Sequence, residues 1–513
     1  MKKNVARYYI MNNKKVIIIG AGISGLCAGS YLQMNGYDTE IFELHNTPGG
    51  LCTAWKRKGY TFDLCIHWLV GSSPSDNFYG LWNELIEMEK LDFVDHEIFF
   101  QVENREGGKL RVFTDVDRLE EEMKNVAPED KDIIEDFIGG IRKFLPFSMP
   151  LDKARELMNP FDGLKMMLKM LPYFGAFKKW GDMSAKEFAS RCKNPLLSRA
   201  ILELFLPETG VFFLLYTLVC MHKKSAGYPI GGSFNFARLI EKKYINLGGK
   251  VNYNSKVERI IEEDDCARGI RLENGDTHMA DTIISAADGY STIFKMLEGK
   301  YVDEKLRGYY SGQSEKLKVF PSLVFVALGV ARKLDNEPHS LIFPLKKPIV
   351  VDTSINYEYL PVRIFNFDPT LAPEGKTCIT VMLGTYNYEF WVDLRKNNKE
   401  KYRQEKERIA NEVIEALEDR FGNIKSNIEV TDVSTPASLI RFTSNWKGSF
   451  EGWHPGPGTM MIRIDKTLPG LKNFYMIGQW VEPGGGLPPA IMSGRSVAQI
   501  ICKKDRKKFT AHS

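Results

Sequence analysis

The residues best suited to chemistry lie near the start of the chain, in Gly20-Ala21-Gly22-Ile23-Ser24-Gly25. A turn of this kind binds an anion through its backbone. Gly20 allows a tight turn, Gly22 lets a pyrophosphate approach the main chain, and Gly25 lets a helix pack on a strand. The N–H groups of Ala21, Ile23 and Ser24 then belong to a helix N-terminus, which carries partial positive charge. Glu43 lies at the spacing where an acid accepts hydrogen bonds from ribose hydroxyls. Its charge would repel a phosphorylated ribose. Together they predict a dinucleotide site.

Such a site works only if strand, turn and helix follow in order. Val16-Ile17-Ile18-Ile19 is an apolar, β-branched run without helical period, as expected of a fully buried strand. Leu26, Ala28, Tyr31 and Leu32 then recur at helical spacing, and Thr39-Glu40-Ile41-Phe42 forms a second strand that ends at Glu43.

Pro48-Gly49-Gly50-Leu51 follows, and then Lys56-Arg57-Lys58-Gly59-Tyr60-Thr61-Phe62-Asp63. Downstream come Gly227-Tyr228-Pro229-Ile230-Gly231-Gly232, a strand near Val257, the run Ser285-Ala286-Ala287-Asp288, and the closing element Gly478-Gln479-Trp480-Val481-Glu482-Pro483-Gly484-Gly485-Gly486-Leu487-Pro488-Pro489. In content and order these resemble the FAD-binding parts of the amine oxidase-like flavoproteins, and most closely the branch of phytoene desaturases, carotenoid cis–trans isomerases and retinol saturases. Amine oxidases usually carry Gly-Glu where Gly478-Gln479 stands here. The resemblance runs from about Lys15 to Lys503. It implies FAD as cofactor. Gly49, Gly50 and Leu51 would pass the flavin side, Arg57 would sit near the pyrophosphate, and Val257 would meet the adenine. Ala286, Gly478, Gly485, Gly486 and Leu487 would complete the site.

The expected fold is α/β, with a discontinuous Rossmann-like FAD-binding domain and a substrate-binding domain of mixed sheet and helices (α+β). The FAD domain is expected over 15–72, 222–290 and 440–505, and the substrate domain over 73–221 and 291–439. Residues 75–220 read as mostly helical, whereas Ser322–Val330 and Thr377–Gly384 read as strands. Glu400–Phe421 reads as a solvent-facing helix rich in opposite-charge neighbours. Pro160–Trp180 combines an apolar stripe (Leu164, Met167, Leu168, Leu171) with Lys165, Lys169, Lys178 and Lys179, as an interfacial helix or an ordinary core-facing helix would.

Composition narrows the function. The 513 residues are 43% hydrophobic and 26% charged with net charge +4, which suits a globular chain and gives no electrostatic footprint for nucleic acid. The eight cysteines form no CxxC and pair with no histidine at ligand spacing, so reduced thiols and no metal site are expected. Met1–Asn13 lacks the apolar core of a signal peptide, which predicts a cytoplasmic location.

The resemblance implies a long, apolar substrate such as a carotenoid, a retinoid or another lipid. It also implies an external electron donor or acceptor, since no second GxGxxG provides a nicotinamide domain. Hydride transfer at a carbon–carbon bond needs a proton partner for the adjacent carbon. His67 and Glu482 are the candidates, and each has a purely packing or hydrogen-bonding alternative. Desaturation or saturation is the leading reading. A redox-neutral isomerase working with reduced FAD, a flavin amine oxidase and a non-catalytic flavin-binding protein stay open, as does a peripheral membrane contact.

Overall fold

The computed structural model describes residues 13–512 apart from 313 and 316; residues 1–12 of the N-terminal segment lie outside it. The strand predicted at Val16–Ile19 spans Lys15–Ile19 and is the middle of a five-stranded parallel sheet. The order is Lys250–Asn252, Asp38–Phe42, Lys15–Ile19, Thr282–Ser285 and Phe474–Met476. Val16 to Ile19 stand opposite Thr282 to Ser285 on one side and Thr39 to Phe42 on the other. The strands thus come from three separated stretches of chain, and no short turn could join them in parallel.

Both faces of this sheet are covered, which explains the unbroken apolar run Val16–Ile19 in its middle strand. Helices Ile23–Met34, Gly232–Asn246 and Leu487–Lys504 pack on one face. The antiparallel strands Val257–Glu263, Cys266–Leu272 and Thr277–Met279 close the other. Gly25 is required by close approach: a Cβ there would run into the Gly20 carbonyl and meet the Ala286 side chain at 3.2 Å.

A seven-stranded mixed sheet forms the second half, in the order Ile428–Ser434, Ser322–Val330, Thr377–Thr385, Asn356–Ile364, Ser340–Val350, Ile98–Glu103 and Lys109–Phe113. The last two strands correct the helical reading of 75–220. Phe100 and Val102 pair across the ladder with Val112 and Leu110; the edge strand Lys109–Phe113 alternates exposed and buried residues, whereas Ile98–Glu103, inside the sheet, is buried on both faces. The long helix Lys399–Phe421 is only half solvent-facing. Ile409, Val413 and Leu417 are buried against the sheet beside Val326, Val362 and Val381. The opposite sheet face carries Phe325 and Ala327 toward Tyr60, Phe62 and Tyr228. Helices from Val116 to His222 form a separate apolar cluster of their own.

Candidate active site

A cavity of about 430 Å³ opens at the carboxyl ends of the parallel strands, the place where open α/β sheets hold ligands. Its floor is built where two glycine turns touch. Gly22 bridges Gly49, and the Gly49 N–H donates to the Ala21 carbonyl at 2.9 Å. Gly20 takes φ +99°, which side chains resist. At Gly22 an added Cβ would meet no protein atom within 4 Å, so that face of the turn is open to the cavity.

Gly20, Gly22, Ile23, Ser24 and Glu43 line this space. Gly49, Gly50, Leu51, Val257 and Ala286 do so as well, together with Gly478, Gly486 and Leu487. Ala21 does not, but its N–H donates to the Glu43 carboxylate at 2.7 Å, and the His45 N–H reaches the other carboxylate oxygen at 2.7 Å. Each oxygen keeps a lone pair for a hydroxyl donor. Burial pushes the Glu43 carboxyl up, and these two N–H groups partly offset it. Gly25 and Gly485 are buried next to the cavity rather than on its wall, and Gly485 lies beneath the Glu451 side chain.

Helix Ile23–Met34 begins with no side-chain cap and no acid in its first turn, and so does Leu487–Lys504. Two helix N-termini next to the cavity are therefore free to meet negative or electron-rich groups. An open backbone cradle, an uncapped helix start and a doubly tied acid fit the pyrophosphate and ribose of FAD.

Arg57, Glu482 and His67 stand elsewhere. Arg57 points away from the cavity, at the exposed hairpin Ala54–Arg57/Tyr60–Asp63, and its Nε donates to Asp432 at 3.0 Å. Glu482 is held by Lys466, which donates to it at 2.6 Å and to Glu156 at 2.9 Å. Burial pulls the Lys466 ammonium down, but the two carboxylates outweigh it and hold it above its ordinary value. That geometry describes a clamp between the closing loop and Arg155–Leu157. Glu482→Gln is accordingly expected to retain FAD while lowering unfolding stability by about 1–3 kcal/mol, read as a fall in Tm. His67 lies two residues beyond Cys65, which lines the cavity, but is not itself on the wall. Burial, and then the charge of Arg363, hold its imidazole neutral well below ordinary histidine values.

Two acids were not singled out from the sequence. Asp288 lines the cavity and accepts the Trp446 and Ser291 N–H groups at 2.7 Å each, and burial pushes it up to about 6. Glu451 also lines it, accepts no hydrogen bond from any described residue, and is pushed by burial up to about 7. Only its position in Phe450-Glu451-Gly452-Trp453, just before the last cofactor element, hinted at it. Sequence does not tell a buried carboxyl from an exposed one.

A parallel sheet with glycine turns at its carboxyl edge and an acid closing the second strand defines a dinucleotide-binding protein. The chain belongs to the flavin containing amine oxidoreductase family, whose model matches residues 23–502, and FAD is its cofactor. It is 26% identical to prolycopene isomerase 2 of an Oncidium hybrid cultivar, over 94% of this chain and 83% of that one. It is 24% identical to a 4,4'-diapophytoene desaturase of a Methylomonas species, over 98% of both. A crystal structure of an oxidoreductase from Methanosarcina mazei shares the fold, at 17% identity and TM-score 0.58, over 94% of this chain and 99% of that one. The protein is an FAD-dependent oxidoreductase.

Proposed function

We propose that the protein adds or removes hydrogen across a carbon–carbon bond of a long, apolar, polyene-like lipid. The observation that carries this is Glu451, a half-buried side chain on the wall of the FAD cavity whose carboxyl has no hydrogen-bond partner among the described residues. Bound FAD supplies the two-electron acceptor or donor. The adjacent carbon must also lose or gain a proton, and Glu451 is the group able to hold it near neutral pH. The glycine turns and Glu43 anchor the cofactor. The names of the relatives, a diapophytoene desaturase and a prolycopene isomerase, support an apolar substrate. Electrons are exchanged with an external carrier.

The decisive experiment is anaerobic incubation of the flavin-loaded protein with a panel of polyenes, following flavin absorbance and product mass together. A mass change of two hydrogens with matching flavin reduction or oxidation is expected. The similarity to prolycopene isomerases favours one second reading, a redox-neutral isomerase. Unchanged mass with altered double-bond geometry, and no consumption of donor, would establish that reading instead.

An apolar substrate is stored in membranes, and the helical lobe presents a surface suited to one. Phe161, Leu164, Met167, Leu168, Leu171 and Phe174 are each at least half exposed along helices Pro160–Met170 and Phe174–Gly181 and the turn Leu171–Tyr173 that joins them. Exposed Lys165, Lys169 and Lys178 flank them, whereas Lys179 is paired with Asp136. Such a face is that of a peripheral contact with anionic lipid. No helix among the described residues is long and apolar enough to cross a membrane. Vesicles containing an anionic lipid should float with a measurable share of the protein, and changing Lys165, Lys169 and Lys178 to Glu should remove most of that share. Flotation indifferent to the charge reversal would discard the contact.

A further inference from the structure

The substrate-side sheet carries a charge that the chain does not neutralise. Arg363 lies in the strand Asn356–Ile364, opposite Ser340 on one side and Thr380 on the other. Its neighbours Val362 and Ile364 enter the core beneath the long helix, so Arg363 faces the other way, on the side of Phe325 and Ala327. Three histidines gather there. His96 stacks on His339 with ring centroids 3.5 Å apart, and Phe367 meets both edge-on at 4.5 and 5.7 Å. His67 sits beside Trp68, which packs on Phe99, and the charge of Arg363 acts on all three imidazoles.

None of this cluster is satisfied internally. Among the described residues the Arg363 guanidinium has no hydrogen-bond or ion-pair partner, and burial pulls it down to about 10, still charged at neutral pH. Among the described residues no carboxylate offsets this burial. His96 Nε2 and Thr380 Oγ1 are buried without partners. Burial, and then the Arg363 charge, keep His67 and His96 neutral. For His339 burial comes first, followed by His96 and Arg363. The cluster therefore carries one positive charge and several unused donors. An uncompensated buried charge is costly, and its partner is then expected to be a ligand. Arg363 and the three histidines each keep some accessible surface, so an outside group can reach them. In sequence, His67 lies two residues beyond Cys65, which lines the flavin cavity.

We propose that Arg363, with His67, His96 and His339 around it, binds the carboxylate of the substrate, so that the lipid is a long-chain acid rather than a hydrocarbon. The inference rests on the lipid-redox reading above and specifies its substrate class. A planar guanidinium presents two parallel donors that match a carboxylate in geometry and in charge. The neutral imidazoles donate to the remaining lone pairs without adding charge. Phe367, Trp68 and Phe99 supply the apolar wall for the first carbons of the chain.

The test is equilibrium binding of cis-parinaric acid, a conjugated C18 acid with intrinsic fluorescence, and of its methyl ester to the FAD-loaded protein. The acid is expected to bind about 10- to 100-fold more tightly than the ester. Arg363→Met should reduce acid binding to the level of the ester, leave ester binding and FAD content unchanged, and leave Tm equal or higher, because it removes an unpaired buried charge. Arg363→Lys should restore part of the preference. Equal binding of acid and ester by the unaltered protein overturns this proposal and leaves the lipid reading standing. Failure to bind either probe overturns both. An acid preference that survives Arg363→Met moves the site elsewhere, and a fall in Tm together with lost FAD in that variant makes Arg363 a structural residue. Dodecyl phosphate that displaces the probe better than dodecanoate reassigns the anion to phosphate.

Discussion

Gly22→Val should fold, purify without yellow absorbance and fail to regain it on incubation with FAD. The backbone at Gly22 is extended, with φ −67° and ψ 171°, which valine adopts without strain. A Cβ there meets no protein atom within 4 Å, so the branched side chain enters the cavity where the pyrophosphate must approach the turn. Far-ultraviolet circular dichroism and Tm should match those of the flavin-free protein, which makes loss of cofactor the whole effect. Gly25→Val is the informative contrast. Its side chain would collide with the Gly20 carbonyl and Ala286, so loss of flavin should come with loss of fold. A yellow Gly22→Val protein would remove the turn from the cofactor site. Glu43→Ala should weaken FAD by about 1.5–3 kcal/mol, the worth of hydrogen bonds to a charged acceptor, and also leaves the Ala21 and His45 N–H groups without their carboxylate.

The other large effect is expected at Glu451. Glu451→Gln should lower turnover about 100-fold or more with normal flavin content, since glutamine keeps the shape and cannot exchange the proton. The carboxyl ionises near 7 because burial penalises its charge. The sign of the pH dependence then reports the direction of reaction. If the lipid is saturated, Glu451 must donate, its neutral form is active, and the rate falls as pH rises through about 7. If the lipid is desaturated, the carboxylate must accept, and the rate rises through the same region. In either case the inflection should vanish in Glu451→Gln. Loss of less than about tenfold, with the inflection intact, would leave Glu451 a bystander. His67→Gln provides the comparison. An imidazole kept neutral beside Arg363 is suited to binding, so KM should rise while kcat changes little.

Much of the cofactor half was legible in the chain, because its determinants are local. A β-branched run, a glycine turn and an acid one strand later act within about thirty residues of each other, and Gly20, Gly22, Glu43, Gly49 and Gly50 all meet at one cavity. Strand Ser322–Val330 was equally plain, since a continuous apolar run of that length has few alternatives. Strands Ile98–Glu103 and Lys109–Phe113 were not, because they are short and gain meaning only by pairing with each other and, for the first, with Ser340–Val350. Arg57 and Glu482 lie in the right segments, but side-chain direction depends on partners far along the chain. Asp432 draws the first outward, and Lys466 with Glu156 holds the second at the back of its loop.

The amino-acid sequence by itself determined the class of cofactor and the order of the elements that hold it, since backbone geometry and glycine placement are properties of contiguous residues. Only the tertiary structure decided which ionisable groups are enclosed without a partner among the described residues. Glu451 and Arg363 look ordinary in the chain, and their character comes from burial away from any opposite charge. Arg363 acts on His67, His96 and His339, which come from three other stretches of the chain that no local pattern brings together.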